Sequence, residues 1–115
     1  MILETKKEFD GFIEKYNESD CILIPILCDV NKHPIENDLC LLYVKILDGD
    51  EYLLPFRHSE SMNLDVTNLD KLNSDHKKYV YNKKEFNHIV FRTAGIKDWE
   101  NYHGFDLSNY KKSNK

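Results

Sequence analysis

Apolar positions recur three and four apart near the start of the chain, so that Phe9, Phe12, Ile13 and Tyr16 share one face of a helix with about 3.6 residues per turn. Just ahead of them Thr5-Lys6-Lys7-Glu8 has the form of a capping box, in which a hydroxyl and a carboxylate satisfy the free N–H groups of a first turn. Asn17 to Asp20 ends the helix. The pattern then changes, for Cys21 to Cys28 (CILIPILC) is apolar without a break and predicts a strand covered on both faces. Pro25 within it has no N–H for a ladder bond, so the strand must lie at an edge there or be broken by a bulge. A polar turn, Asp29 to Asp38, leads to a second strand, Leu39 to Leu47, and Asp48-Gly49-Asp50 turns the chain into a third, Glu51 to Phe56. Strands two and three therefore form an antiparallel hairpin.

Residues 57 to 65 read as loop, Val66 to Leu72 as a short helix with Leu69 and Leu72 inward, and Lys78 to Tyr81 as a fourth strand. Asn82 caps a second long helix, Lys83 to Ala94, which presents Phe86, Ile89, Val90 and Thr93 and is stopped by Gly95. Beyond Gly95 the pattern is irregular (Trp99, Tyr102, Phe105), and Ser108 to Lys115 is a polar, basic tail. The expectation is an α/β fold: a mixed sheet with an antiparallel meander of strands one to three plus a parallel fourth strand, flanked by helices. One domain spans 1–107 and the tail spans 108–115.

Composition agrees with this and narrows the setting. A chain of 115 residues suits one domain, and 41% hydrophobic residues can fill its core. The longest apolar run is far below the ~18 residues of a membrane span, and the acidic N-terminus is no signal peptide, so a cytoplasmic location is expected. Cys21, Cys28 and Cys40 lie in apolar stretches and read as reduced, buried thiols. The net charge of -4 hides a gradient: residues 1–70 hold 15 acids against 6 bases, residues 71–115 hold 5 against 10. A polyanion would favour the second half.

Candidate chemistry is sparse. The cysteines and histidines lack the paired spacing of a zinc site, and no glycine-rich phosphate loop occurs. Arg57-His58-Ser59-Glu60-Ser61 follows the third strand as a polar loop in which His58 could meet nucleic acid. Tyr79 and Tyr81 alternate with Val80 beside Lys77, Lys78, Lys83 and Lys84, the footprint of single-strand binding by stacking and charge. The plainer reading has one tyrosine inward and the lysines flanking a helix start. The nucleic-acid set is thus Lys78, Tyr81, Asn82, Lys83, Lys84 and His58.

Two stretches carry a resemblance: His33-Pro34 followed by Asn37-Asp38-Leu39-Cys40-Leu41-Leu42-Tyr43-Val44, and Tyr79-Val80-Tyr81-Asn82-Lys83-Lys84-Glu85-Phe86-Asn87-His88. With the order of elements, they resemble the proofreading-type 3′-to-5′ exonuclease family of the ribonuclease H-like fold. More narrowly, Ile24 to Ser61 is similar to the N-terminal region of family A DNA polymerases of some bacteriophages. The resemblance implies a role in DNA replication, with DNA or the remainder of a polymerase as partner and no membrane. Such nucleases hold two divalent ions with several carboxylates, and the family supplies an Asp-x-Glu on the first strand. Here Pro25 and Leu27 stand at those positions. In the second motif Phe86 matches, but Asn87 replaces the expected aspartate. An alternative register uses Asp29-Val30-Asn31 at the cost of a shorter loop before Leu39. It would make Asp29, Asn87 and Asp106 the metal-facing set for Mg²⁺, with too little charge for two ions. The resemblance therefore implies a degenerate domain with no catalytic residues, no metal and no nuclease activity in this chain alone. It also implies about half to two-thirds of a full nuclease domain, since the family continues beyond Asp106 to Tyr110. The alternative is a small stand-alone protein-interaction module using the acidic face of residues 29–65.

Overall fold

Local chemistry places the first helix where its caps and periodicity predict it. In a computed structural model, which describes residues 2–29, 38–47, 49–57, 62–73, 76–97, 99 and 102–105, α1 spans Lys6–Tyr16. The Thr5 hydroxyl accepts from the Glu8 N–H at 3.2 Å, and the Glu8 carboxylate accepts from the Glu4 N–H at 3.2 Å, one residue further back than a simple capping box. Phe9, Phe12 and Tyr16 are buried along its inner face, each worth about 1.5–3 kcal/mol relative to exposure.

The strands are β1 (Cys21–Leu27), β2 (Leu39–Ile46), β3 (Glu51–Pro55), β4 (Lys78–Tyr81) and β5 (Tyr102–Phe105), with a 3-10 helix η1 (Val66–Leu72) before β4 and α2 (Lys83–Ala94) after it. They form one sheet in the order β3-β2-β1-β4-β5. β1 pairs antiparallel with β2, β2 antiparallel with β3, and β4 parallel with both β1 and β5. The expected meander with a parallel fourth strand is present. β5 is an addition that the sequence pattern did not announce, because a four-residue edge strand containing Gly104 has no apolar alternation to read.

Pro25 resolves both ways at once. The Cys21 N–H donates to the Lys77 carbonyl at 3.3 Å. Amides alternate sides along a strand, so the amide of residue 25 would point toward β4 as well. Proline has no proton to give, and pairing with β4 stops at Leu23↔Val80. From there β1 continues against β2 alone, with a register shift between Ile26 and Leu27.

Register divides the sheet into two unlike faces. Cys21 and Leu23 align with Ile46 and Val44 on β2 and with Lys78 and Val80 on β4. These positions are buried in the core cluster together with the inner faces of α1, η1 and α2, and the Phe12 and Tyr52 rings meet edge to face at 4.8 Å. The expectation of cover on both faces is corrected here. Ile22 and Ile24 are only half-buried and Ile26 is exposed, because all three described helices pack on the other side of the sheet. The edge of β3 is capped by the N-terminus, where the Leu3 N–H donates to the Leu53 carbonyl at 2.9 Å.

α2 begins at a strained turn and ends at a glycine. Asn82 has φ 51°, a left-handed conformation that asparagine tolerates better than most residues, and its side chain accepts from the Glu85 N–H. Gly95, at φ 72°, supplies the left-handed cap at the other end. Among the described residues no helix is long and apolar enough to cross a membrane.

Candidate functional site

Pro25 and Leu27, the positions at which the sequence resemblance expects acids, lie toward the C-terminal end of β1. Alternation along the strand puts Pro25 and Leu27 on the helix-covered face, and neither offers a ligand atom. Asp29 is exposed, beyond the last paired residue of the strand. Asn87 lies in the second turn of α2, where its side-chain oxygen accepts from the Tyr102 hydroxyl at 2.6 Å. That bond turns the amide oxygen toward β5. Asp106 lies outside the described residues.

α2 crosses the sheet from β5 to the start of β2. At its first turn the Lys83 backbone runs so close to β5 that a Cβ on Gly104 would meet the Lys83 Cβ at 2.7 Å. At its last turn Arg92 Nε lies 3.4 Å from Asp38, which also faces Arg57 at 3.7 Å. Both arginines of the chain thus converge on one carboxylate. Among the described residues the donor set does not fit a two-ion centre: at the end of β1 Asp29 is exposed, Asn87 is neutral and engaged by Tyr102, and Asp38 faces two arginines. Among the described residues no cluster of three or more histidine, cysteine or acidic side chains could hold a metal ion.

Two expectations are corrected by burial. Lys78 is fully buried rather than available to nucleic acid, because β4 alternates and Lys78 shares the inward face with Val80. Its ammonium donates to the His76 carbonyl at 3.0 Å. Cys28 is exposed rather than buried, since it lies past the end of β1.

Around Lys78 the fold assembles a polar knot that the sequence did not reveal. The Tyr16 hydroxyl donates to the Leu72 carbonyl at 2.7 Å, the His76 ring stands edge-on to Tyr16 at 4.3 Å, and Cys21 Sγ lies 3.5 Å from His76 Nε2. Burial pushes the Cys21 thiol up to about 12, against the opposing pull of Tyr16 and Lys78. A thiol so reluctant to ionise is no nucleophile near neutrality. The cluster ties the end of η1 and the entry to β4 onto α1. Only the inward alternation of Lys78 with Val80 signalled it in the sequence.

The remaining members of the nucleic-acid set gather at β4 and β5. Tyr79 and Tyr81 both lie on the face away from the helices, which corrects the reading that one packs inward. The Tyr79 ring lies 6.0 Å from the exposed His103 ring, and Lys77 Nζ is 5.3 Å above Tyr79. Asn82 serves as the helix cap, Lys83 reaches over Tyr102 at 4.4 Å, and Lys84 is exposed. His58 lies outside the described residues, as does most of the acidic stretch before β2.

No protein-family model and no curated protein matches this sequence. Solved structures do. The chain is similar to the EXO domain of Nibbler from Aedes aegypti, with a TM-score of 0.68 over 97% of this chain and 54% of that one, at 12% identity. It is similar to the EXD2 exonuclease domain, with a TM-score of 0.57 over 98% of this chain and 58% of that one, at 18% identity. The same domain soaked in Mg and GMP gives 0.57 at 19% identity. The chain spans little more than half of each of these chains. At such identities the likeness is one of fold: a mixed five-stranded sheet with helices, matching exonuclease domains of the ribonuclease H-like fold.

Proposed function

We propose that this chain is an exonuclease-fold domain without hydrolytic activity of its own, serving a cytoplasmic DNA-replication protein as a structural or nucleic-acid-contacting part. A phage-type family A DNA polymerase is the parent type that the similarity of Ile24 to Ser61 favours, and DNA or the remainder of such a polymerase is the partner. One observation carries the loss of activity. Pro25 and Leu27 stand toward the end of β1, where the resembled family carries acids, and on α2 the Asn87 amide oxygen accepts from the Tyr102 hydroxyl. Hydrolysis of a phosphodiester by two divalent ions requires converging negative charge to hold the ions and activate water. Both changes leave such a site short of that charge, and the exposed Asp29 carboxylate is too little to restore it.

Incubating the purified chain with end-labelled single-stranded DNA and Mg²⁺ or Mn²⁺ tests the reading. No shortening of the strand is expected. Metal-dependent shortening that disappears in Asp29→Ala would overturn it.

A further inference from the structure

The face of the sheet opposite the helices has its own chemistry, and its two halves differ. On β2 and β3 that face carries Tyr43 with Glu51 close enough to help raise the Tyr43 hydroxyl above its ordinary range, after desolvation. On β1, β4 and β5 it carries Ile22, Ile24, Tyr79, Tyr81 and His103, and no acid among the described residues. Lys77 stands over the Tyr79 ring, and the exposed Lys84 follows β4 at its other end. Asp20, in the turn before β1, is close enough to act on Lys77. β4 and β5 belong to the part of the chain, residues 71–115, in which bases outnumber acids by 10 to 5.

We propose that single-stranded DNA lies across the open face of β4 and β5, its bases against Tyr79, Tyr81 and His103 and its phosphates near Lys77 and Lys84. The inference rests on the nucleic-acid-contacting reading above and adds where the strand sits: on the side of the sheet away from the degenerate metal positions. Rings presented from a flat sheet suit unpaired bases, because every base offers a π-face, whereas a duplex hides those faces in its stack. Two strands of four residues give room for roughly two or three bases. The half-buried Ile22, paired with Tyr79, extends the apolar floor beneath them. Neither arginine competes for the strand, since Arg57 and Arg92 both face Asp38 at the far end of α2.

Fluorescence anisotropy with labelled oligo(dT), in EDTA at low salt, tests the surface. Binding should weaken steeply as salt rises, and Lys77→Gln should reduce the salt slope by about one. Tyr79→Ala should weaken binding roughly 5- to 100-fold, while Tyr79→Phe, which keeps the ring, stays close to the parent. His103→Ala, at an exposed position on the edge strand, repeats the test where Tyr79→Ala does not fold. The proposal is overturned if the parent does not bind oligo(dT), or if folded Tyr79→Ala and His103→Ala bind as the parent does. It is also overturned if oligo(rU) is preferred, or if the chain forms dimers through this face that exclude the oligonucleotide. Binding is read in EDTA and hydrolysis in Mg²⁺, so a failure here and a failure of the non-hydrolytic reading are separate results.

Discussion

On one face of the sheet Leu23, Val44, Leu54 and Val80 are fully buried beneath α1, η1 and α2. One residue along the same strands, Ile22, Ile24, Tyr43 and Tyr79 remain half-exposed on the other. The residue types are nearly alike, so the difference lies in what covers them. Apolar alternation assigns side chains to faces, but three helices can close only the side on which their own apolar stripes land. A strand such as β1, apolar on both faces and covered on one, is therefore a statement about an occupant as much as about a core.

Substitution along β1 is the most direct way to break this comparison. Leu23→Ala should cost about 3 kcal/mol of unfolding free energy, because it opens a cavity in the closed face. Ile24→Ala, one residue on, should cost only about 1 kcal/mol, since part of its side chain is already in water. Equal losses in urea denaturation would mean that the two faces are equally covered.

The polar knot sharpens the comparison from within the closed face. Tyr16→Phe leaves the Leu72 carbonyl unpaired and should cost about 2 kcal/mol. Burial, helped by the Cys21 thiol, holds the Tyr16 phenol well above its ordinary value of 10.0. Above pH 10 the unfolded chain therefore releases a proton that the folded chain keeps, and stability falls as pH rises. Denaturation at pH 9 to 11 should show this fall in the parent and a flatter profile in Tyr16→Phe.

Asn82 marks the passage from β4, which carries the open-face tyrosines, to α2, which closes the other face. Asn82→Ala removes the cap and places alanine at φ 51°, for an expected loss of about 1 kcal/mol or slightly more. Asn82→Gly should lose much less, because glycine adopts that conformation freely. A melting-temperature series of the two variants separates cap from backbone strain.

Both long helices could be read from the chain alone, because their causes are local: Thr5 and Glu8 at one start, Asn82 at the other, Gly95 at an end, and apolar stripes between. Strands β1 to β4 followed from runs and turn residues, and the lack of a carboxylate at Pro25, Leu27 and Asn87 is a matter of residue identity. What tertiary structure alone decided is which groups meet. Asn87 reaches Tyr102 only because β5, silent in the sequence, pairs beside β4. Lys78 is buried because the register of β4 against β1 carries it beneath the covered face, where His76 supplies a carbonyl for its charge. Pro25 blocks the β4 side of the ladder because of the direction its amide would have taken. Local propensities act over a few residues, whereas pairing register and burial are set by segments far apart in the chain, such as Tyr16 and Leu72, 56 positions apart, and no short window along the chain contains both partners.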